Sequence, residues 1–319
     1  MTDAAPLFDD LAQGPPGGRA IWCRTEDGLR IRAAIWPQGS SGTVLLFPGR
    51  TEYVEKYGPA AAELARRGFA TVVIDWRGQG LSDRVVPQPM IGHVKHFSDY
   101  QRDLRAVLAA LEGLGLPEPR FLLSHSMGGT IALRSLLEDV EVRAAAFTAP
   151  MWNIRITRAM RPLAWALASG ARAAGLGLTL APGTDPTSYV LVAPYQGNVL
   201  TTDAEMFAWM KAHMIAHPEL SLGGPSMHWL HEALVECRRL HGARSPQVPG
   251  LVLLGSAEKV VDTDVIRDRM RRWPSARLEV FAGAEHEVLM ESAAMREHAY
   301  DMIAAFFDTH RQVAPHRRA

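Results

Sequence analysis

Phe121-Leu122-Leu123-Ser124-His125-Ser126-Met127-Gly128-Gly129 places a serine between an apolar, strand-like run and the small-residue start of a helix. A serine at such a junction sits on a sharp, strained turn that lifts its hydroxyl above the sheet edge, ready to attack a carbonyl carbon. Backbone passes close to the positions two before and two after that serine, so small residues are needed there. Gly128 meets the second demand, and Ser124 stands where glycine is usual at the first. The competing reading of Ser126 is an ordinary helix N-cap.

A hydroxyl is a poor nucleophile until a base takes its proton. Of the 12 histidines, His286 in Gly283-Ala284-Glu285-His286-Glu287 falls between the final strand and the final helix, where a base would reach the serine turn. The carboxylate that orients the imidazole is expected one strand earlier. Glu258, at the strand end, is favoured; Asp262 is the alternative and equally suits a helix N-cap. Negative charge developing on the carbonyl oxygen needs two backbone donors, expected from the amides of Met127 and Arg50.

These residues require a frame that brings them together. Residues 43–47 and 70–75 are continuous apolar runs, as strands covered on both faces should be. Residues 121–124, 144–149, 250–255 and 277–281 read as further strands. Helical stretches separate them: 54–65, with Val54, Tyr57, Ala61, Leu64 and Ala65 on one face; 100–114; 128–137; 265–273; and a last helix with Met295, Ala299, Met302, Ile303 and Phe306 on one stripe. Upstream, 20–24 and 29–36 flank Glu26-Asp27-Gly28, a hairpin signal. Strand–helix alternation implies an α/β fold with a mostly parallel sheet and helices on both faces.

Residues 150–240 break the rhythm. They are helical and loop-like, rich in Met and Trp, and read as an inserted lid in which Thr202 and Glu205 form a capping box opening a helix through Met214. The expected organisation is a flexible N-terminus (1–18), a core (19–149 and 241–312), the lid (150–240) and a tail (313–319).

With these motifs in place, the sequence resembles the bacterial lysophospholipase and monoacylglycerol lipase branch of the α/β-hydrolases, from Thr43 to Phe307. Phe47-Pro48-Gly49-Arg50-Thr51-Glu52-Tyr53 stands where that family carries its oxyanion loop, and Pro48-Gly49-Arg50 looks closer to the lysophospholipases than to the His-Gly of the lipases. Asp75-Trp76-Arg77-Gly78-Gln79-Gly80-Leu81-Ser82 matches a family turn. Leu200-Thr201-Thr202-Asp203 and Leu222-Gly223-Gly224-Pro225-Ser226-Met227-His228-Trp229 look like its lid segments, and Glu258-Lys259-Val260-Val261-Asp262 and Gly283–287 match as well. The resemblance implies the α/β-hydrolase fold with a helical lid and hydrolysis of a lysophospholipid or monoacylglycerol through an acyl-Ser126 intermediate. It supports glutamate as the acid and implies no metal or organic cofactor. An esterase for small esters, an acyltransferase, a proline-type aminopeptidase on the same fold, for which no residue speaks, and a non-catalytic protein keeping the fold are the alternatives.

The bulk properties fit. At 319 residues and 47 % apolar content the chain can bury one large core with an inserted lobe, or two ordinary domains. Thirty-four basic residues balance 34 acidic ones, which argues against nucleic acid as a partner. His316-Arg317-Arg318 reads as a solvated tail. The start carries no secretory pattern, no apolar run approaches a membrane span, and Cys23 and Cys237 read as small buried hydrophobes, so a cytoplasmic location is expected. Transient contact with a membrane surface through the lid is a further expectation. His213 and His217 have zinc-ligand spacing but no third ligand, and read as a solvent-facing pair. Met151, Trp152, Met160, Trp165, Met206, Trp209, Met210 and Met214 either line an acyl tunnel or pack the lid on the core.

Overall fold

The computed structural model describes residues 3–157 and 159–311. Among them, nine strands form one sheet: β1 Ala4–Ala5, β2 Arg19–Arg24, β3 Arg30–Trp36, β4 Thr43–Phe47, β5 Ala70–Ile74, β6 Arg120–His125, β7 Ala145–Thr148, β8 Gly250–Gly255 and β9 Ala276–Phe281. Their order across the sheet is β1-β2-β3-β5-β4-β6-β7-β8-β9. The β1, β2, β3 and β5 neighbours pair antiparallel; every pair from β5 to β9 is parallel.

The helices are α1 Asp9–Ala12, α2 Gly58–Arg66, α3 Tyr100–Leu111, α4 Met127–Leu137, α5 Arg161–Ala173, α6 Tyr189–Val192, α7 Ala204–Ala216, α8 Met227–Gly242, α9 Thr263–Arg271 and α10 Ala293–Thr309. Successive strand side chains point to opposite faces, and both faces here are dry. Leu45, Phe47, Leu122, Phe147 and Leu254 pack with Leu104, Ile131, Trp229 and Ile266 of α3, α4, α8 and α9. Val44, Leu46, Phe121, Leu123 and Leu253 pack with Ala60, Leu64, Ile303 and Phe307 of α2 and α10. Two covered faces explain why the central strands carry apolar runs instead of alternating patterns.

The parallel register sets Phe47 beside Ser124, so the loop after β4 and the turn after β6 leave the sheet side by side. Ligands of open parallel sheets bind beyond such carboxyl ends. Between β7 and β8 the chain is helical, with α5 to α8, and its only strand-like features among the described residues are isolated bridges.

Three expectations about the chain's elements differ from the structure. The segment expected to be flexible, 1–18, contains β1, paired antiparallel with β2, and α1, whose Leu11 and Ala12 are buried. Its anchors are distant in sequence: Phe8 N–H donates to Glu55, and Arg32 donates to the Pro6 carbonyl. The cap of α7 is Asp203, which accepts from the Glu205 and Met206 amides, and not Thr202, whose hydroxyl is taken by Glu291. The α9 helix opens at Thr263, two residues earlier than the periodicity predicts, because Asp262 caps it. Cys23 and Cys237 are free and buried. The tail 313–319, with His316-Arg317-Arg318, lies outside the described residues.

Candidate active site

Ser126 is the residue between β6 and α4, with φ 49° and ψ −118°. A non-glycine residue at such angles is strained and persists only where its surroundings fix it. Here its N–H donates to the Thr148 carbonyl at 3.1 Å, and its own carbonyl accepts from Gly129 and Met151, both at 2.8 Å. A Cβ on Gly128 would stand 2.1 Å from the Phe47 carbonyl oxygen, so a side chain there would push the end of β4 away. Ser124, two residues before, is fully buried, with its Oγ 3.5 Å from the Ala146 carbonyl.

His286 leaves the turn after β9 with Nε2 2.9 Å from Ser126 Oγ and Nδ1 2.7 Å from Glu258 Oε2. All three side chains are buried. Glu258 stands directly beyond β8, and its other oxygen accepts the Val260 and Val261 amides. Burial pushes its carboxyl pKa up, but the bond and charge of His286 and the two amides more than offset this, leaving it below the usual value. Asp262 is engaged elsewhere. It caps α9 through the Asp264 and Val265 amides and accepts from Asn153 at 3.1 Å and Arg161 at 2.8 Å.

The loop after β4 is pinned from below by the turn 75–82. Trp76 Nε1 donates to the Pro48 carbonyl at 3.0 Å, Gln79 Nε2 to the Gly49 carbonyl at 3.0 Å, and Thr51 N–H to Gln79 Oε1 at 3.2 Å. A Cβ on Gly49 would lie 3.1 Å from Ser126 Cβ, so this loop abuts the serine. Among the described residues, the N–H groups of Arg50 and Met127 donate to no protein acceptor. That leaves two free donors, one on the residue after Ser126 and one on the residue after Gly49.

A group the sequence reading missed lies beside them. Lys56 Nζ sits 2.7 Å from Glu52 and 2.5 Å from Glu287, all nearly inaccessible to solvent. Glu52 also accepts from Tyr57 Oη at 2.6 Å and from the Gly49 amide. Burial raises the Glu52 carboxyl pKa, yet the Lys56 charge and the hydrogen bonds from Lys56 and Tyr57 bring it down to about 2. Burial raises that of Glu287, and Lys56 only partly compensates. His125 is pulled down to about 3 by burial, so it is neutral over the physiological range, with Nδ1 2.9 Å from Thr148 Oγ1. Glu52, His125 and Glu287 are the one metal-capable trio among the described residues, and the Lys56 ammonium already bridges its carboxylates. The available signals were local: Glu52 and Lys56 are four residues apart beside the oxyanion loop, and Glu287 adjoins His286.

Ser126 and His286 open into a cavity of about 500 Å³ between the sheet edge and the inserted segment. Of the eight Met and Trp residues singled out above, Met151, Met210 and Met214 line it, joined by Leu200, Leu230 and Trp229. Trp152 belongs to the core and Met160 is exposed. A larger open cleft of about 860 Å³ lies behind Glu258, but Ser126 does not line it, and its charged wall of Arg155, Arg161, Arg267 and Asp268 suits no acyl chain. His213 is buried, against the expectation of a solvent-facing pair: its ring centre lies 4.0 Å from that of Trp209 at a tilt of 58°, while His217 stacks 3.7 Å from Phe8.

The family model described as serine aminopeptidase, S33, matches residues 38–293. The chain belongs to that family. Within it, the chain is 34 % identical over 303 residues to lysophospholipase L2 of Escherichia coli K12, covering 91 % of this chain and 86 % of the relative. It is 26 % identical over 274 residues to a monoacylglycerol lipase of Mycolicibacterium smegmatis, covering 83 % and 88 %. Among solved structures, a soluble variant of monoglyceride lipase from Saccharomyces cerevisiae superposes with a TM-score of 0.71 at 19 % identity, over 91 % of this chain and 95 % of that one. The S33 chain therefore has the α/β-hydrolase fold, and its wider family holds lipid-ester hydrolases.

Proposed function

We propose that this S33-family chain is a serine hydrolase that cleaves the carboxylic ester of a single-chain lipid, a lysophospholipid or monoacylglycerol, through an acyl-Ser126 intermediate. The observation that carries the reading is the unbroken contact from Ser126 Oγ through His286 to Glu258, 2.9 and 2.7 Å, at the floor of an apolar cavity. The names of the curated relatives support the substrate class.

In this mechanism His286 Nε2 takes the hydroxyl proton as Ser126 Oγ bonds to the ester carbon. Glu258 holds Nδ1–H and stabilises the imidazolium. The Arg50 and Met127 amides receive the charge that develops on the carbonyl oxygen. As the intermediate collapses, the imidazolium gives its proton to the departing glycerol oxygen. Water then enters: His286 takes a proton from it as its oxygen bonds to the acyl carbon, and the second intermediate breaks the bond to Ser126 Oγ, which receives that proton from the imidazolium as the fatty acid leaves.

In the same reading residues 150–240 are a cap over a core formed by 19–149 and 241–312. Met160, Leu163, Leu167, Leu176 and Leu178 of that segment are about half exposed, which supports transient contact with a membrane surface during substrate uptake. The two free cysteines are compatible with the reducing cytoplasm we assign to it.

The test is an acyl series from acetyl to palmitoyl on one head group. Each buried methylene contributes about 0.8 kcal/mol, so kcat/KM should rise severalfold per carbon until the cavity fills. Turnover independent of chain length would indicate a small-ester esterase instead.

A further inference from the structure

Two cations line the catalytic cavity besides the histidines, and they differ in one respect. Lys56 is held between Glu52 and Glu287. Arg50 has no carboxylate within ion-pair distance among the described residues, and its one hydrogen bond is from Nη1 to the Gly223 carbonyl at 2.7 Å. Its guanidinium carbon lies 5.7 Å from the centre of the Trp229 ring. Other partly or fully buried arginines are satisfied otherwise. Arg32 and Arg77 meet carboxylates. Arg84 and Arg269 meet none, but each is held by three oxygens of the chain. Arg50 keeps most of its donors unused, and it is one of the residues lining the cavity that holds Ser126. Burial drags its pKa down to about 10, with Tyr100 alone opposing the shift and no carboxylate beside it.

We propose that the Arg50 side chain is the subsite for the phosphate of a glycerophospho head group, which makes a lysophospholipid the preferred substrate over a neutral monoacylglycerol. This rests on the lipid-ester reading above and narrows it. The chain from the Arg50 backbone nitrogen to its guanidinium carbon has as many bonds as the chain from the ester carbon to phosphorus in a 1-acyl glycerophospholipid, which allows one extended ligand to reach both groups. Trp229 covers a face of that group, and an arginine fork grips phosphate through its edges.

The experiment compares kcat/KM for lauroyl lysophosphatidylglycerol and for monolauroylglycerol in the wild type, Arg50→Gln and Arg50→Lys. Any loss from disturbing the oxyanion loop is common to both substrates and cancels in their ratio. The ratio should fall about thirtyfold in Arg50→Gln, the size of a charge-assisted hydrogen bond, and recover in large part in Arg50→Lys. Glycerol 3-phosphate should compete with the neutral ester in the wild type and lose at least about tenfold in affinity with Arg50→Gln. An unchanged ratio, or unchanged competition, overturns the proposal and leaves Arg50 as a bracket between the loop and Gly223. Failure of the lipid-ester reading has its own pattern, cleavage of p-nitrophenyl acetate with turnover of neither lipid, and the proposal falls with it.

Discussion

Two carboxylates four residues apart, Glu258 and Asp262, have different work because only one has an oxygen free for an imidazole. Asp262 spends its oxygens on two helix amides, Asn153 and Arg161, whereas Glu258 uses one oxygen on amides and turns the other to His286. An amide at the orienting position leaves the imidazole in the wrong tautomer, so Glu258→Gln should lower kcat about ten-thousandfold with the fold intact. Asparagine caps a helix about as well as aspartate, so Asp262→Asn should cost less than about threefold. Steady-state kinetics with circular dichroism on both variants checks the pair, and a reversed order would exchange the roles. The distinction was half legible beforehand. A strand end followed by a helix start places both carboxylates on one loop, but the oxygen that is free is decided by amides that only the folded loop presents. The Arg50 guanidinium was illegible for the same reason, since its accepting carbonyl at Gly223 lies 173 residues away.

At the level of elements, the site depends on four loops meeting, after β4, β6, β8 and β9, of which the β8 loop brings Glu258 to His286. The first and second are locked by strand register, Phe47 beside Ser124. The loop after β9 is tied to the loop after β4 by Lys56, which links Glu52 to Glu287 next to His286. Removing one partner of a buried ionic group leaves uncompensated charge, which costs about 3–5 kcal/mol. Lys56→Met should therefore lower unfolding free energy by about that amount, measured in urea, while the same substitution at exposed Lys259 changes little. Equal stability of Lys56→Met and wild type would mean that the cluster does not hold the loops. The strands and helices were readable because apolar runs and one-sided stripes are local. The clamp was not, because Lys56 and Glu287 are 231 residues apart and Glu52 with Lys56 looks like any solvated helix pair. The N-terminal strand escaped notice for a related reason: it is two residues long and its anchors, Arg32 and Glu55, come from later elements.

Taken whole, the molecule is a sheet with two dry faces whose carboxyl edge carries the chemistry, and a helical insertion that walls off an apolar chamber above it. The insertion was recognisable as a break in strand–helix alternation, but its lining was not. The α7 helix is apolar nearly all round, with Phe207, Met210 and Met214 buried and Ile215 exposed, so no stripe announces which side faces the chamber. The central claim is that Ser126 is an activated nucleophile served by His286 inside a lipid-binding chamber. The most direct measurement is labelling with a long-chain alkyl fluorophosphonate followed by peptide mass mapping. The account predicts a single adduct on Ser126, formed more slowly in the presence of lysophospholipid and absent from His286→Ala. An adduct on another residue, or His286→Ala labelled at the wild-type rate, would contradict it.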